Sequence, residues 1–206
     1  MGPPPLPCPP GESPFRIKGV AYRGLLALVE RQIAGGVDAL CEALADDALA
    51  AFVRQPFLAA TRYDILPMLP LNAAVAELFG MSLARFSRDA AFGQARYDAR
   101  HVYRPLVEAH TLADLATRLR RFGIQYYDFG GYESTEEEPG RLLIRRTGLP
   151  RYIVPWYAPM QAAYMEEIVR QLGATRAESA PRREVPQGTD RGIEVCTLDT
   201  DVRLWV

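Results

Sequence analysis

The chain has 206 residues, of which 49% are hydrophobic and 24% are charged, and its net charge is -1. This length suits one substantial domain, and the composition excludes a chain that is disordered throughout. The near-zero net charge provides no global basic field for a nucleic acid, and no segment approaches the ~20 apolar residues of a membrane-spanning helix.

The cysteines and the N-terminal segment indicate in which cellular compartment the protein is expected. Cys8, Cys41 and Cys196 are odd in number and widely spaced, which fits neither a disulfide framework nor a zinc site. The N-terminal segment lacks the hydrophobic stretch of a secretory signal. We therefore expect a cytoplasmic protein with reduced thiols.

The chain is predicted to divide into a short tail and one domain. Residues 1–14 are rich in proline, which predicts a disordered tail. A single α+β domain is expected over residues 15–206. Phe15 and Ile17 alternate with polar residues and predict a short strand at its start.

Helical signals dominate the first half of this domain. Apolar residues recur at helical spacing from Tyr22 to the glycine pair at 35–36. Residues 37–53 predict two helices, divided by a pair of aspartates whose side chains suit a helix N-cap. Two closely spaced prolines predict an extended connection over residues 61–70, followed by a helix over residues 71–79.

The next stretch predicts three more helices. Ser82 is expected to cap a helix that ends near residue 95. A second helix, interrupted near Pro105, is predicted over residues 97–109. Thr111 fits a capping box, and Gly123 is expected to end the helix that begins there.

The second half reads mainly as strands. Residues 124–132 and 141–146 predict a hairpin with a turn at Pro139-Gly140, and residues 152–154 would extend the same sheet. An amphipathic helix then ends at Gly173. Residues 176–185 and 191–206 predict a second hairpin with its turn at 187–190. The predicted fold is α+β, with a helical N-terminal half packed with a small antiparallel sheet and one long helix in the C-terminal half.

Aromatic side chains form the densest cluster in the sequence. Each tyrosine brings apolar area and one polar tip, which suits a pocket wall or an interface. Strand alternation would place Tyr126 and Asp128 on one face and Tyr127 and Phe129 on the other. The predicted ligand-binding or partner-binding residues are Tyr126, Asp128, Tyr132, Tyr152, Trp156, Tyr157 and Tyr164.

The two histidines provide little chemistry. His101 and His110 are nine residues apart, which does not suit a shared metal ion on one helix face. His101, among arginines and tyrosines, is a candidate axial ligand of haem. No catalytic residue is predicted, because no nucleophile, base and orienting group can be named together.

The order of elements carries a resemblance. The helical half, the segment from Leu119 to Gly131, the long helix closed by glycine and the final hairpin ending in Trp205 resemble a domain of unknown function that is greatly multiplied in myxobacteria. The resemblance extends to Tyr63-Asp-Ile-Leu-Pro-Met-Leu-Pro70. That domain is similar in layout to the haem nitric oxide/oxygen-binding fold, the 4-vinyl reductase domain and TRAPP-type domains.

The resemblance implies helices packed on a small antiparallel sheet with a cavity between them. The gas sensors hold haem through one histidine and a Tyr-x-Ser-x-Arg motif, and no such motif occurs here, since Tyr97-Asp-Ala-Arg100 lacks both its serine and its spacing. We expect a non-catalytic sensory or scaffolding domain without a required cofactor. It would bind a small apolar ligand or a protein partner, including a homodimer partner. The alternatives are a haem-based gas sensor using His101 and an enzyme of unknown class.

Overall fold

The computed structural model describes residues 4–101 and 108–205, apart from the side chains of Arg100 and His101. The helices are α1 (Val20–Gln32), α2 (Gly36–Leu44), α3 (Asp47–Arg54), α4 (Met68–Leu78), α5 (Leu83–His101), α6 (Leu112–Tyr126) and α7 (Val154–Gln171), the last preceded by a 3-10 turn over Arg151–Ile153. The strands are β1 (Arg16–Lys18), β2 (Arg62–Asp64), β3 (Gly131–Glu138), β4 (Arg141–Pro150), β5 (Arg176–Asp190) and β6 (Ile193–Trp205).

These elements form an α+β fold, as the sequence predicts. The short strands β1 and β2 pair antiparallel within the helical half. The other four strands form one antiparallel sheet in the order β3-β4-β6-β5. Helices α6 and α7 pack against this sheet, and α7 also packs along α5, so α7 links the two halves.

Two of the predicted helix starts, at Asp46 and Thr111, are confirmed by their caps, whereas the helix predicted over residues 71–79 begins earlier, at Met68. The Asp46 carboxylate accepts a hydrogen bond from the Leu49 amide at 2.9 Å, and the Thr111 hydroxyl accepts one from the Asp114 amide at 3.1 Å. Each side chain satisfies an amide that has no partner inside its helix. These starts depend only on neighbours in the sequence.

The predicted helix ends are wrong for α5 and α6. Helix α5 continues past residue 95 to His101, since the buried Ala99 extends its apolar face. Helix α6 runs through Gly123 to Tyr126. A Cβ on Gly123 would lie 2.5 Å from Cγ of Tyr132, so this glycine serves close packing of the helix on β3. The strand predicted over residues 124–132 is therefore wrong from residue 124 to residue 130. The alternation argued from it is nevertheless seen in the burial, since Tyr127 and Phe129 are buried and Asp128 is exposed.

Two turns also differ from the prediction. Residues 152–154 do not extend the sheet, because the chain turns into the 3-10 segment and α7 there. The hairpin of β5 and β6 closes at Arg191-Gly192, both with positive φ, and Asp190 pairs with Ile193. Residues 187–190 belong to β5, so the predicted turn at that place is wrong.

Residues 4–14 lie against the helical half, where the sequence predicts a disordered tail. The amides of Gly11 and Ser13 donate to Oδ2 of Asp64 at 2.9 Å and 3.2 Å, and Ser13 is fully buried. The Asp64 carboxylate, itself buried, gains from these two donors the partners that burial requires. This long-range contact fixes the segment, and local composition cannot reveal it.

The interior consists of two apolar clusters. One gathers the aromatic residues of the helical half, with Tyr22 stacked on Phe57 at 4.5 Å between ring centroids. The other joins α6, α7 and the sheet through residues such as Leu119, Ile144 and Val169. A cavity borders both clusters, with Leu25 from the first and Leu119 from the second in its wall.

Candidate ligand-binding cavity

The main cavity lies where the two halves of the fold meet. Its volume is about 970 Å³, at the upper end of the range for small-molecule pockets. Helices α1, α4, α5, α6 and α7 all contribute to its wall. Its apolar lining includes Leu25, Leu28, Met68, Phe86, Met160 and Met165.

Most of the predicted aromatic residues line this cavity. They are Tyr126, Tyr132, Trp156, Tyr157 and Tyr164, joined by Tyr127. Two predicted residues are not part of its lining. Asp128 accepts a hydrogen bond from the Arg16 amide at 2.8 Å, and the Tyr152 hydroxyl donates to the Pro4 carbonyl at 2.9 Å. A ligand-binding role of any of these residues stays a prediction.

A buried arginine supports the tyrosine wall. Arg146, 1% exposed, stacks on Tyr127 with 4.6 Å between the guanidinium carbon and the ring centroid. Its Nη1 donates to the Gly131 carbonyl at 3.0 Å and its Nη2 to the Phe129 carbonyl at 3.2 Å. No carboxylate pairs with it in the described part of the chain. Burial raises the pKa of the neighbouring Tyr157 hydroxyl, which therefore stays neutral at physiological pH.

The sequence analysis missed Arg146, although a signal exists. Leu142, Ile144 and Arg146 occupy alternate positions of β4, and all three are buried. Because side chains alternate along a strand, Arg146 lies on the same inward face as the apolar residues Leu142 and Ile144. A strand pattern that continues through an arginine therefore marks a buried cation.

A carboxyl group on α5 also faces this space. Asp98, 3% exposed, accepts hydrogen bonds from Gln94 Nε2 at 2.7 Å and from the Tyr164 hydroxyl at 3.1 Å. Burial raises the pKa of Asp98 to about 6, and the two hydrogen bonds offset only part of that effect. The cavity therefore contains a carboxyl group that changes its charge near neutral pH.

Two further polar side chains in the cavity wall have no hydrogen-bond partner among the described residues. Both amide atoms of Gln161, which is 5% exposed, are buried and unpaired within the described structure. The same holds for the hydroxyl of Ser87, which is 1% exposed. The sequence analysis missed both, because their polarity suggests surface positions; Gln161 lies on the same helical stripe as Tyr157 and Met165.

The histidines do not appear in the described wall of the cavity. His110 is exposed just before α6. His101 is the last residue of α5, three positions after Asp98, and its side chain lies outside the described residues. Within residues 4–101 and 108–205, no cluster of three or more His, Cys, Asp or Glu residues is arranged to hold a metal ion. No described helix has the length and apolar character that a membrane crossing needs.

Comparison with known proteins identifies the architecture. No protein-family model and no curated protein matches the sequence. A Cs H-NOX mutant carrying 4-cyano-L-phenylalanine superposes with a TM-score of 0.65 at 9% identity, over 92% of this chain and 97% of that one. A mutant H-NOX from T. tengcongensis gives 0.63 at 10% identity, over 92% and 98%. An unliganded Fe(II) H-NOX mutant from K. algicida gives 0.57 at 12% identity, over 92% and 97%.

The chain has the fold of the H-NOX domains. This confirms the predicted likeness of layout to the haem nitric oxide/oxygen-binding fold. A further H-NOX neighbour is described in terms of haem distortion, and another similar structure in terms of haem redox potential and porphyrin distortion. At such low identity the likeness shows the fold alone. The resemblances to the myxobacterial domain, the 4-vinyl reductase domain and TRAPP-type domains stay predictions.

Proposed function

We propose that this chain is a non-catalytic sensory domain whose cavity holds a planar, largely apolar ligand. The observation that carries the proposal is the position of the cavity, whose wall combines residues from both core clusters. A ligand there contacts both halves of the H-NOX fold at once. Binding that differs between two arrangements of these halves would shift their equilibrium, which is what a sensor requires.

Haem is the specific ligand that the H-NOX neighbours favour. The volume and aromatic lining of the cavity suit the porphyrin ring. Bound haem would supply an iron atom able to take a diatomic gas. The described wall offers tyrosine and methionine but no imidazole or thiolate, and burial keeps Tyr127, Tyr132 and Tyr157 in their neutral form. Of the two histidines, His110 is exposed outside the wall, so His101 is the histidine candidate for the iron ligand, beside the methionines of the wall.

A haemin titration tests the haem form of the proposal. Haemin added to the purified chain should give a Soret band with 1:1 stoichiometry, and His101→Ala should shift or abolish it. His110→Ala is the matched control, because His110 is exposed and lies outside the cavity wall. A Soret band that survives His101→Ala unchanged would exclude His101 as the ligand.

The broader proposal has a separate readout. Trp156 lines the cavity, whereas Trp205 is exposed. In the Trp205→Phe variant, Trp156 is the one remaining tryptophan, and its fluorescence reports ligand binding in the cavity. Quenching of Trp156 by an apolar ring compound, without a Soret band for haemin, would support a sensor of a different ligand. Absence of any quenching by haemin and by apolar ring compounds would refute the cavity as a ligand site. Binding of a protein partner, assembly as a homodimer, catalysis and cytoplasmic location stay predictions.

A further inference from the structure

We propose that the cavity selects an uncharged ligand carrying a hydrogen-bond donor beside an acceptor, as at the edge of an amide or imide, and that Gln161 recognises this edge. The inference rests on the proposed function, because it requires a ligand in the cavity. It specifies the chemical class of the ligand and names the residue that recognises it.

The first support is the state of the Gln161 side chain. Its Oε1 and Nε2 are both buried, and neither has a hydrogen-bond partner in the described structure. A primary amide offers one acceptor and two donors, and burying it unpaired opposes folding. Gln161 lies in the wall of the cavity, so a polar group bound there can satisfy it. The complement of an amide is an edge that presents a donor and an acceptor side by side.

The second support is the charge of the interior. The arginines that line the cavity, Arg23 and Arg31, are both exposed on α1. Asp98 is the buried acid of the wall, and Ser87 adds a second unpaired neutral group. Among the described residues, the buried part of the lining holds an acid and no cation, because Arg146 contacts the wall tyrosines without being part of the lining. The buried lining therefore suits a neutral polar group, which the site would recognise through hydrogen bonds.

The test uses two probes that differ only at this edge. Naphthalimide has an N–H between two carbonyl groups, whereas N-methylnaphthalimide has the same ring without the donor. Both are titrated against the full chain with Trp205→Phe, with Trp156 fluorescence as the readout. We expect naphthalimide to bind about three to ten times more tightly than its N-methyl derivative, which is the range of one hydrogen bond. Gln161→Leu should remove this difference by weakening naphthalimide alone.

Gln171→Leu is the matched control, since Gln171 is exposed on the same helix and outside the cavity wall. It should retain the preference for naphthalimide. A thermal melt checks that each variant is folded. Equal binding of both probes, unchanged in Gln161→Leu, would overturn the inference and leave the proposed function intact. If haemin binds and neither imide does, the inference is likewise overturned and the proposed function stands. If none of the three probes binds, the proposed function is overturned as well.

Discussion

Helix α7 buries polar side chains towards two regions of the molecule. The buried groups have hydrogen-bond partners in one region and no described partner in the other. Towards α5 and β5, Oε1 and Oε2 of Glu166 accept hydrogen bonds from Arg88 Nη2 at 3.0 Å and 2.9 Å, and Oε1 also accepts one from the Ser179 amide at 3.0 Å. Glu167 accepts one from Arg96 Nε at 2.8 Å. Towards the cavity, Gln161 has no described partner.

The difference assigns two roles to residues of one helix: the paired carboxylates stabilise the fold, and the unpaired amide is available for binding. The partnered carboxylates hold α7 to α5 and to the sheet, and loss of one partner would leave the other buried group unsatisfied. The unpaired amide contributes nothing of this kind to the fold. Its position in the wall of the cavity leaves it able to bind a ligand. Three measurements test whether the two regions differ in this way.

The largest effect is expected at Glu166. Glu166→Ala should lower the free energy of unfolding by about 2 to 3 kcal/mol, because the Ser179 amide and the Arg88 guanidinium lose their acceptor. Urea denaturation measures the change. Glu178→Ala is the control: Glu178 is exposed on β5, and its loss should change stability by less than about 0.5 kcal/mol. Equal losses for the two variants would show that the buried contacts on α7 add no stability.

Gln161→Leu should act in the opposite direction. Replacing an unpaired buried amide by an apolar side chain should raise the free energy of unfolding by about 1 kcal/mol in the ligand-free chain. The same urea titration provides the value. A destabilisation similar to that of Glu166→Ala would mean that the Gln161 amide is satisfied within the protein. The contrast between the two regions would then disappear.

An effect of similar size is expected from the pH dependence due to Asp98. Its pKa is raised to about 6 by burial, so between about pH 4 and pH 6 the folded state keeps a proton that the unfolded state has released. Stability from this group is therefore lost as pH rises through that window. Asp98→Asn should be more stabilising at pH 7.5 than at pH 5, by about 1 kcal/mol.

Paired measurements of the parent and Asp98→Asn at both pH values cancel the titration of all other groups. Asp89→Asn serves as the control, since Asp89 lies in the same helix but is exposed. A difference that does not change with pH would contradict a raised pKa of Asp98.

Local sequence predicted the features that depend on near neighbours. The caps at Asp46 and Thr111 follow from side chains placed three residues before the amides they satisfy. The turn at Gly140, with φ of 81°, follows from a glycine between two strand patterns. The aromatic cluster of the second half predicted most of the tyrosine wall of the cavity, since large half-polar side chains recur there along adjacent elements.

Local sequence patterns were therefore enough to predict the α+β class, most helix starts and the aromatic character of the candidate site. The packing of distant elements sets which polar residues are buried and whether they are paired. Gln161 and Asp98 look like surface residues in a local window, and Gly123 looks like a helix end. Their roles come from elements distant in the sequence, because burial and hydrogen-bond satisfaction are properties of packed neighbours and not of residue type.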